Sequence, residues 1–184
     1  MPGQADQATP SIAGRNSQID ALTDFLDQRL ESLVDQSIEI AKTNGYAPFT
    51  TTIRAAWVEA IVSVTDSLSN YLTSADSVES GPSGPMATLD YGADARFAHM
   101  RKIARLHRSL GSTLPMYIGL FKHFRNLYLA ELRQIPKGIS VKELAKVRDF
   151  FDETELSIVA DWNRKNDNQR LRELQERSRA ITLD

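Results

Sequence analysis

Residues 106–121 read LHRSLGSTLPMYIGLF. Gly111 stands where a helix would stop, because glycine tolerates the left-handed conformation of a helix end. Ser112 or Thr113 can cap a new helix, and Pro115 suits its first turn, where a missing N–H costs nothing. The stretch is therefore a corner between two helices. Upstream, a helix predicted to start at Asp94 carries Phe97, Met100, Ile103, His107 and Leu110 along one face. Downstream, a helix runs to about Ile135. Tyr117, Leu120, Phe121, Phe124, Leu127, Tyr128 and Leu132 make its apolar surface broad, as suits a helix buried on more than one side.

The same periodicity extends outward from this corner. From Ser17, apolar residues Ile19, Leu22, Leu26, Leu30, Leu33 and Ile40 recur at helical spacing until Asn44-Gly45. Pro48 and Thr50 open a second helix with a core stripe of Ile53, Trp57, Ala60, Ile61, Val64, Leu68 and Tyr71. Residues 73–92 are rich in Ser, Gly and Pro and read as a long mobile loop. Ser140, with Glu143 three residues on, forms a capping box for a last helix. Val141, Leu144, Val147, Phe151, Leu156, Val159 and Trp162 are positioned to pack on the core.

After Trp162 the chain turns polar except for Leu171, Leu174 and Ile181, which with Ser178 are spaced 3, 4 and 3. That is heptad spacing, and so polar a helix is marginal alone. It is expected to pair with a second copy along this seam and to continue into an output domain. The expectation is an all-α protein: a bundle of about five to six helices with a long C-terminal helix extending as a coiled-coil stub. A disordered tail covers 1–16, the main domain 17–162 with its loop at 73–92, and a helical linker 163–184.

The chain of 184 residues is 41% hydrophobic and 25% charged, with a formal net charge of −2, so it can bury a core in one domain. No basic excess marks a nucleic-acid binder. Cysteine is absent, which removes disulfides, thiolate zinc sites and cysteine nucleophiles. No signal peptide is apparent and no stretch approaches the ~18 apolar residues of a membrane span, so a cytoplasmic protein without membrane insertion is expected.

The sequence holds no HExxH, phosphate loop, nucleophile elbow or carboxylate cluster at metal-ligand spacing, so no catalytic residues are assigned and the segment is not expected to be an enzyme. Asp24, Asp27, Glu31 and Asp35 read as a solvated helix face. His99 and His107 are eight apart, roughly 80° around a helix and more than two turns along it, and make poor joint ligands for one metal. His99 and His123 each have basic neighbours and read as surface or rim residues. His107 shares the phase of Met100, Ile103 and Leu110, so it is either a packed core histidine or a ligand.

The run Ile103 to Phe121, with His107, Gly111, Pro115 and Tyr117-Ile118-Gly119, resembles the segment of globin-coupled sensors that carries the haem's proximal histidine. It resembles more closely the N-terminal sensory domains of bacterial histidine kinases, members of the non-haem sensor globins. Their "GLFKxxRxxYL" helix compares with the residues from Gly119 to Leu129. The residues from Glu176 to Asp184 resemble the linker entering a PAS domain in such kinases. The resemblance implies a globin-like fold and a cytoplasmic sensory and dimerisation input domain for signal transduction in a two-component system. It implies a homodimer through the last two helices and a covalently linked downstream PAS or kinase domain. In non-haem members the pocket takes small apolar ligands such as fatty acids; here His107, Trp57, Tyr117, Phe121 and Phe124 are the pocket candidates. Three alternatives stay open: a haem-based gas sensor with His107 as proximal ligand, which would be the one metal site; a core filled by those same side chains; and a free-standing adaptor binding a partner helix.

Overall fold

A computed structural model describes the backbone of residues 12–51, 53–75, 91–136 and 138–181, and side chains within 19–51, 53–74, 91–136 and 138–164. Six α-helices run through the described residues: α1 Ile12–Gln28, α2 Leu30–Thr43, α3 Arg54–Ala75, α4 Ala98–Ser109, α5 Leu114–Leu132 and α6 Val141–Ile181. Single turns of 3-10 helix, Ala47–Phe49 and Ala95–Phe97, precede α3 and α4. No strand occurs among the described residues, so the all-α expectation holds. No helix among them is long and apolar enough to cross a membrane.

The capping chemistry formed as its residue types require. Ser140 and Glu143 exchange their hydrogen bonds, Ser140 N–H to Glu143 Oε2 at 2.9 Å and Glu143 N–H to Ser140 Oγ at 3.1 Å. Thr113 caps α5 and Pro115 lies in its first turn. Asp94 starts the α4 region by accepting from the Arg96 N–H at 2.9 Å.

Several boundaries differ from the reading of the sequence. The first helix begins at Ile12, inside the expected 1–16 tail, and is interrupted at Arg29. No Pro or Gly lies at that break, and Leu26, Leu30 and Leu33 keep their phase across it, so periodicity alone hides it. Arg29 reaches α5 there, giving its Nε–H to buried Glu131 at 2.8 Å, while Gln36 donates to the other Glu131 oxygen at 2.9 Å. Thr50 is extended, so α3 starts at Arg54 instead of near Pro48. The loop expected over 73–92 begins later, because α3 continues to Ala75, and most of it lies outside the described residues.

The core is built on α3, α5 and the first half of α6, with α1 and α2 laid across α3 and α5, and α4 against α6. Tyr71, Phe97, Phe150 and Phe151 form its aromatic centre, with ring centroids 5.1–6.3 Å apart. Tyr128, fully buried, donates its hydroxyl to the Ile61 carbonyl at 3.1 Å and meets Thr65 Oγ1 at 2.9 Å, so its polar tip is satisfied. Four residues assigned to core stripes are exposed instead: Ile53 (64%), Leu110 (55%), Val141 (85%) and Leu156 (43%). Ile53, Leu110 and Val141 stand at or just beyond helix ends, where the 3.6-residue phase no longer sets direction; Leu156 faces away from the core. Glu31 and Asp35 are exposed as expected, and both pair with Arg54 at the start of α3.

Ahead of α4, buried Arg101 holds the chain at Tyr91 and Asp94. Its Nη1 donates to the Asp94 carbonyl and to Ser157 Oγ, both at 2.7 Å, and Ser157 in turn donates to the Tyr91 carbonyl at 2.7 Å. This ties the approach to α4 onto α6.

Candidate functional site

The corner read from the sequence builds the site. Gly111 has φ +94°, and the helix stop is completed by Ser112 N–H to His107 O at 3.1 Å and Gly111 N–H to Arg108 O at 3.0 Å. These bonds fix the His107 backbone at the last turn of α4. The imidazole is half-buried; Nδ1 lies 2.9 Å from the Phe49 carbonyl, and the ring centroid is 5.1 Å from that of Tyr117. A carbonyl only accepts, so Nδ1 carries the proton and Nε2 the lone pair. Burial lowers the His107 pKa from its ordinary value and outweighs the opposite pull of the Phe49 carbonyl, favouring the neutral ring. Burial also raises the Tyr117 pKa, keeping the phenol protonated.

Phe49 is carried by the connection between α2 and α3. Gly45, at φ +74°, turns the chain out of α2, and Tyr46 N–H returns to the Ala41 carbonyl at 2.8 Å. The Tyr46 ring meets His123 edge-on, with centroids 6.2 Å apart, and its hydroxyl lies directly over Gly119 of α5. A Cβ at 119 would overlap that hydroxyl, so glycine admits the connection, and with it the Phe49 carbonyl, against α5.

Between α3, α4 and α5 lies a cavity of about 430 Å³, within the size range of small-molecule sites. All five sequence candidates, His107, Trp57, Tyr117, Phe121 and Phe124, line it. Met100, Ile103 and Leu120 complete an apolar wall, and Glu59, His99 and Lys102 contribute exposed side chains. Trp57 is held in place by its indole N–H, given to the Thr51 carbonyl at 2.9 Å, and by edge-on contact with Phe124 at 6.2 Å. His99 also lines this cavity, with an exposed side chain, and His123 packs on Tyr46. Among the described residues no group of three or more His, Cys, Asp or Glu is arranged to hold a metal ion.

Behind the cavity, Tyr117 packs on Trp162 of α6, with centroids 6.1 Å apart, in a small cluster with Ala104 and Ile158. The Arg108 guanidinium stacks over Trp162 at 5.4 Å and donates to its backbone carbonyl at 3.1 Å. The His107 end of α4 is thereby joined to Trp162, midway along α6. The seam residues Leu171, Leu174, Ser178 and Ile181 belong to α6, but their side chains lie outside those described.

Three parts of the site escaped sequence reasoning. The Phe49 carbonyl is a backbone group and carries no residue-type signal. The partnership of Tyr46 with Gly119 spans 73 positions, although an isolated glycine within an apolar helical pattern was a cue for close approach. Tyr117 and Trp162 each read as core residues, but periodicity did not pair them. Set against models of known protein families, curated proteins and solved structures, the chain matches none of them.

Proposed function

We propose that this chain is a non-catalytic sensory and dimerisation input domain of a cytoplasmic signal-transduction protein, a histidine kinase, with a globin-like bundle as its sensing core. The observation that carries the reading is the continuous contact from His107 to Tyr117 to Trp162, 5.1 and 6.1 Å between centroids, leading from a ligand-sized cavity into α6. A small apolar ligand in the cavity touches Tyr117 directly. Tyr117 moves with Trp162, and α6 runs on as one helix of 41 residues from the core to Ile181. A ligand that favours one Tyr117–Trp162 packing therefore biases the direction in which α6 leaves the core, as a two-state switch requires. The output is a second copy of α6, paired along Leu171, Leu174, Ser178 and Ile181 as a coiled coil, followed by a covalently linked PAS or kinase domain. Native mass spectrometry and circular dichroism test the seam: Leu171→Asp/Leu174→Asp is expected to yield monomers with reduced helicity. A fully dimeric double variant with unaltered helicity refutes it.

One contact favours a second reading. Nδ1–H donation to the Phe49 carbonyl is the arrangement by which metal-binding histidines are oriented and made more basic at Nε2. On that reading His107 is the proximal ligand of a haem in a gas sensor. A Soret band in the purified protein, lost in His107→Ala, supports it; colourless protein that takes up no added haemin removes it.

A further inference from the structure

The cavity beside His107 has a polarity that narrows what it can hold. Nδ1 is committed to Phe49, so the ring offers a guest the Nε2 lone pair, which has no hydrogen-bond partner among the described residues. The Tyr117 hydroxyl, on the neighbouring ring, is likewise without a hydrogen-bond partner among the described residues. Trp57 contributes no donor, because its N–H is already given to Thr51. Of the buried and half-buried polar side chains that line the cavity, those of Tyr117, Thr50, Thr51 and Ser63 carry hydroxyls that can donate or accept, and the His107 ring alone is limited to accepting, so it asks a donor of the guest. At the exposed mouth the charges of Lys102 and Glu59 oppose each other, so an anion gains no net attraction there. Leu106 and Leu110, 59% and 55% exposed, also line the cavity and leave its outer edge apolar.

We propose that the cavity takes a neutral, largely apolar small molecule bearing a hydroxyl group, an alcohol or phenol whose O–H donates to Nε2 of His107 and whose oxygen accepts from the Tyr117 hydroxyl. This assignment rests on the ligand-binding reading above and specifies its chemistry. A hydroxyl is both donor and acceptor, so it satisfies both groups at once. An ether satisfies only Tyr117 and leaves Nε2 unpaired. A carboxylate placed against His107 offers Nε2 no donor, sets its charge against a lone pair and loses hydration there, while Lys102 stands at the exposed mouth opposite the charge of Glu59.

The test is titration calorimetry on the whole chain at pH 7.5 with octanol, octyl methyl ether and octanoate, with tryptophan emission as a second readout because Trp57 lines the cavity. Octanol is expected to bind tightest. The ether should bind roughly threefold to tenfold more weakly, the worth of one neutral hydrogen bond. Octanoate should be weaker than octanol by at least about tenfold, from the cost of burying an unpaired charge. His107→Leu should abolish the preference of octanol over the ether while the ether's own binding persists. The comparison of three ligands on the unaltered protein decides the ligand class even where that variant fails to fold. Octanoate or ether binding as tightly as octanol overturns the hydroxyl assignment and leaves the relay through Trp162 standing. Binding by none of the three overturns both. Octanol binding with no change in the association of α6 supports the assignment and removes the relay.

Discussion

Gly119 and Tyr46 offer the sharpest check on how the site is assembled. In Gly119→Ala, two effects compete. Alanine in a helix interior gains about 1 kcal/mol over glycine from its helix propensity. Against this, the new methyl overlaps the Tyr46 hydroxyl oxygen, and overpacking of this kind costs about 1–3 kcal/mol. The next atoms it meets, Tyr46 Cζ at 3.5 Å and Cε1 at 3.9 Å, are in ordinary contact, so one oxygen accounts for the whole clash. Tyr46 cannot simply turn aside, because its backbone is bonded to Ala41 and its ring is set against His123. The net expectation for Gly119→Ala alone is a loss of about 1 kcal/mol, or roughly 2–4 °C in Tm for a chain of this size. Tyr46→Phe removes the offending oxygen, which has no hydrogen-bond partner among the described residues, and by itself should fall within about 0.5 kcal/mol of the parent. In the Tyr46→Phe background, Gly119→Ala should become stabilising by about 1 kcal/mol. The double-mutant cycle thus carries a coupling of about 2 kcal/mol, the difference between a gain of about 1 and a loss of about 1. Urea unfolding of the four proteins, followed by circular dichroism, measures it. A Gly119→Ala effect that is the same with and without Tyr46→Phe refutes the close approach, and with it the account of how the Phe49 carbonyl is placed.

Two other predictions concern the relay and the imidazole. Trp162→Ala removes a ring that is 8% exposed and packs on Tyr117; it should cost about 3 kcal/mol and lower Tm by roughly 6–12 °C, with Trp162→Phe recovering most of that loss. A drop under about 3 °C in a thermal melt contradicts its place in the core. Because the folded state lowers the His107 pKa, the unfolded chain binds more protons once pH falls below about 6.5, so this residue's contribution to stability is full above that value and is lost on acidification towards the lower folded pKa. Unfolding free energies measured between pH 7.5 and 5 should therefore fall less steeply in His107→Gln than in the parent, and equal slopes would contradict the burial of a neutral ring.

Much of this architecture was legible because its signals are local. The Ser140–Glu143 box, the Gly111 stop and the Thr113 cap depend on residues within a turn of each other, and each formed as expected. His107, Trp57, Tyr117, Phe121 and Phe124, which the family resemblance made pocket candidates, line one cavity because helical phase turns each toward the inward face of its helix. Phase failed at helix ends, as Ile53, Leu110 and Val141 show, and it passed silently over the interruption at Arg29.

The amino-acid sequence by itself determined the all-helical class, the starts of α5 and α6, the stops of α2 and α4, the corner at residues 106–121 and the apolar face on which His107 sits. These follow from backbone preferences and a 3.6-residue period, which act over a few positions. Only the tertiary structure decided that a cavity remains between α3, α4 and α5, that His107 gives its proton to the Phe49 carbonyl, and that Tyr117 leans on Trp162. Those outcomes depend on which helix meets which, at what height and with what volume left between them. Contacts spanning 45 to 58 residues, such as Tyr117 with Trp162 and His107 with Phe49, settle them, and no local pattern encodes those contacts.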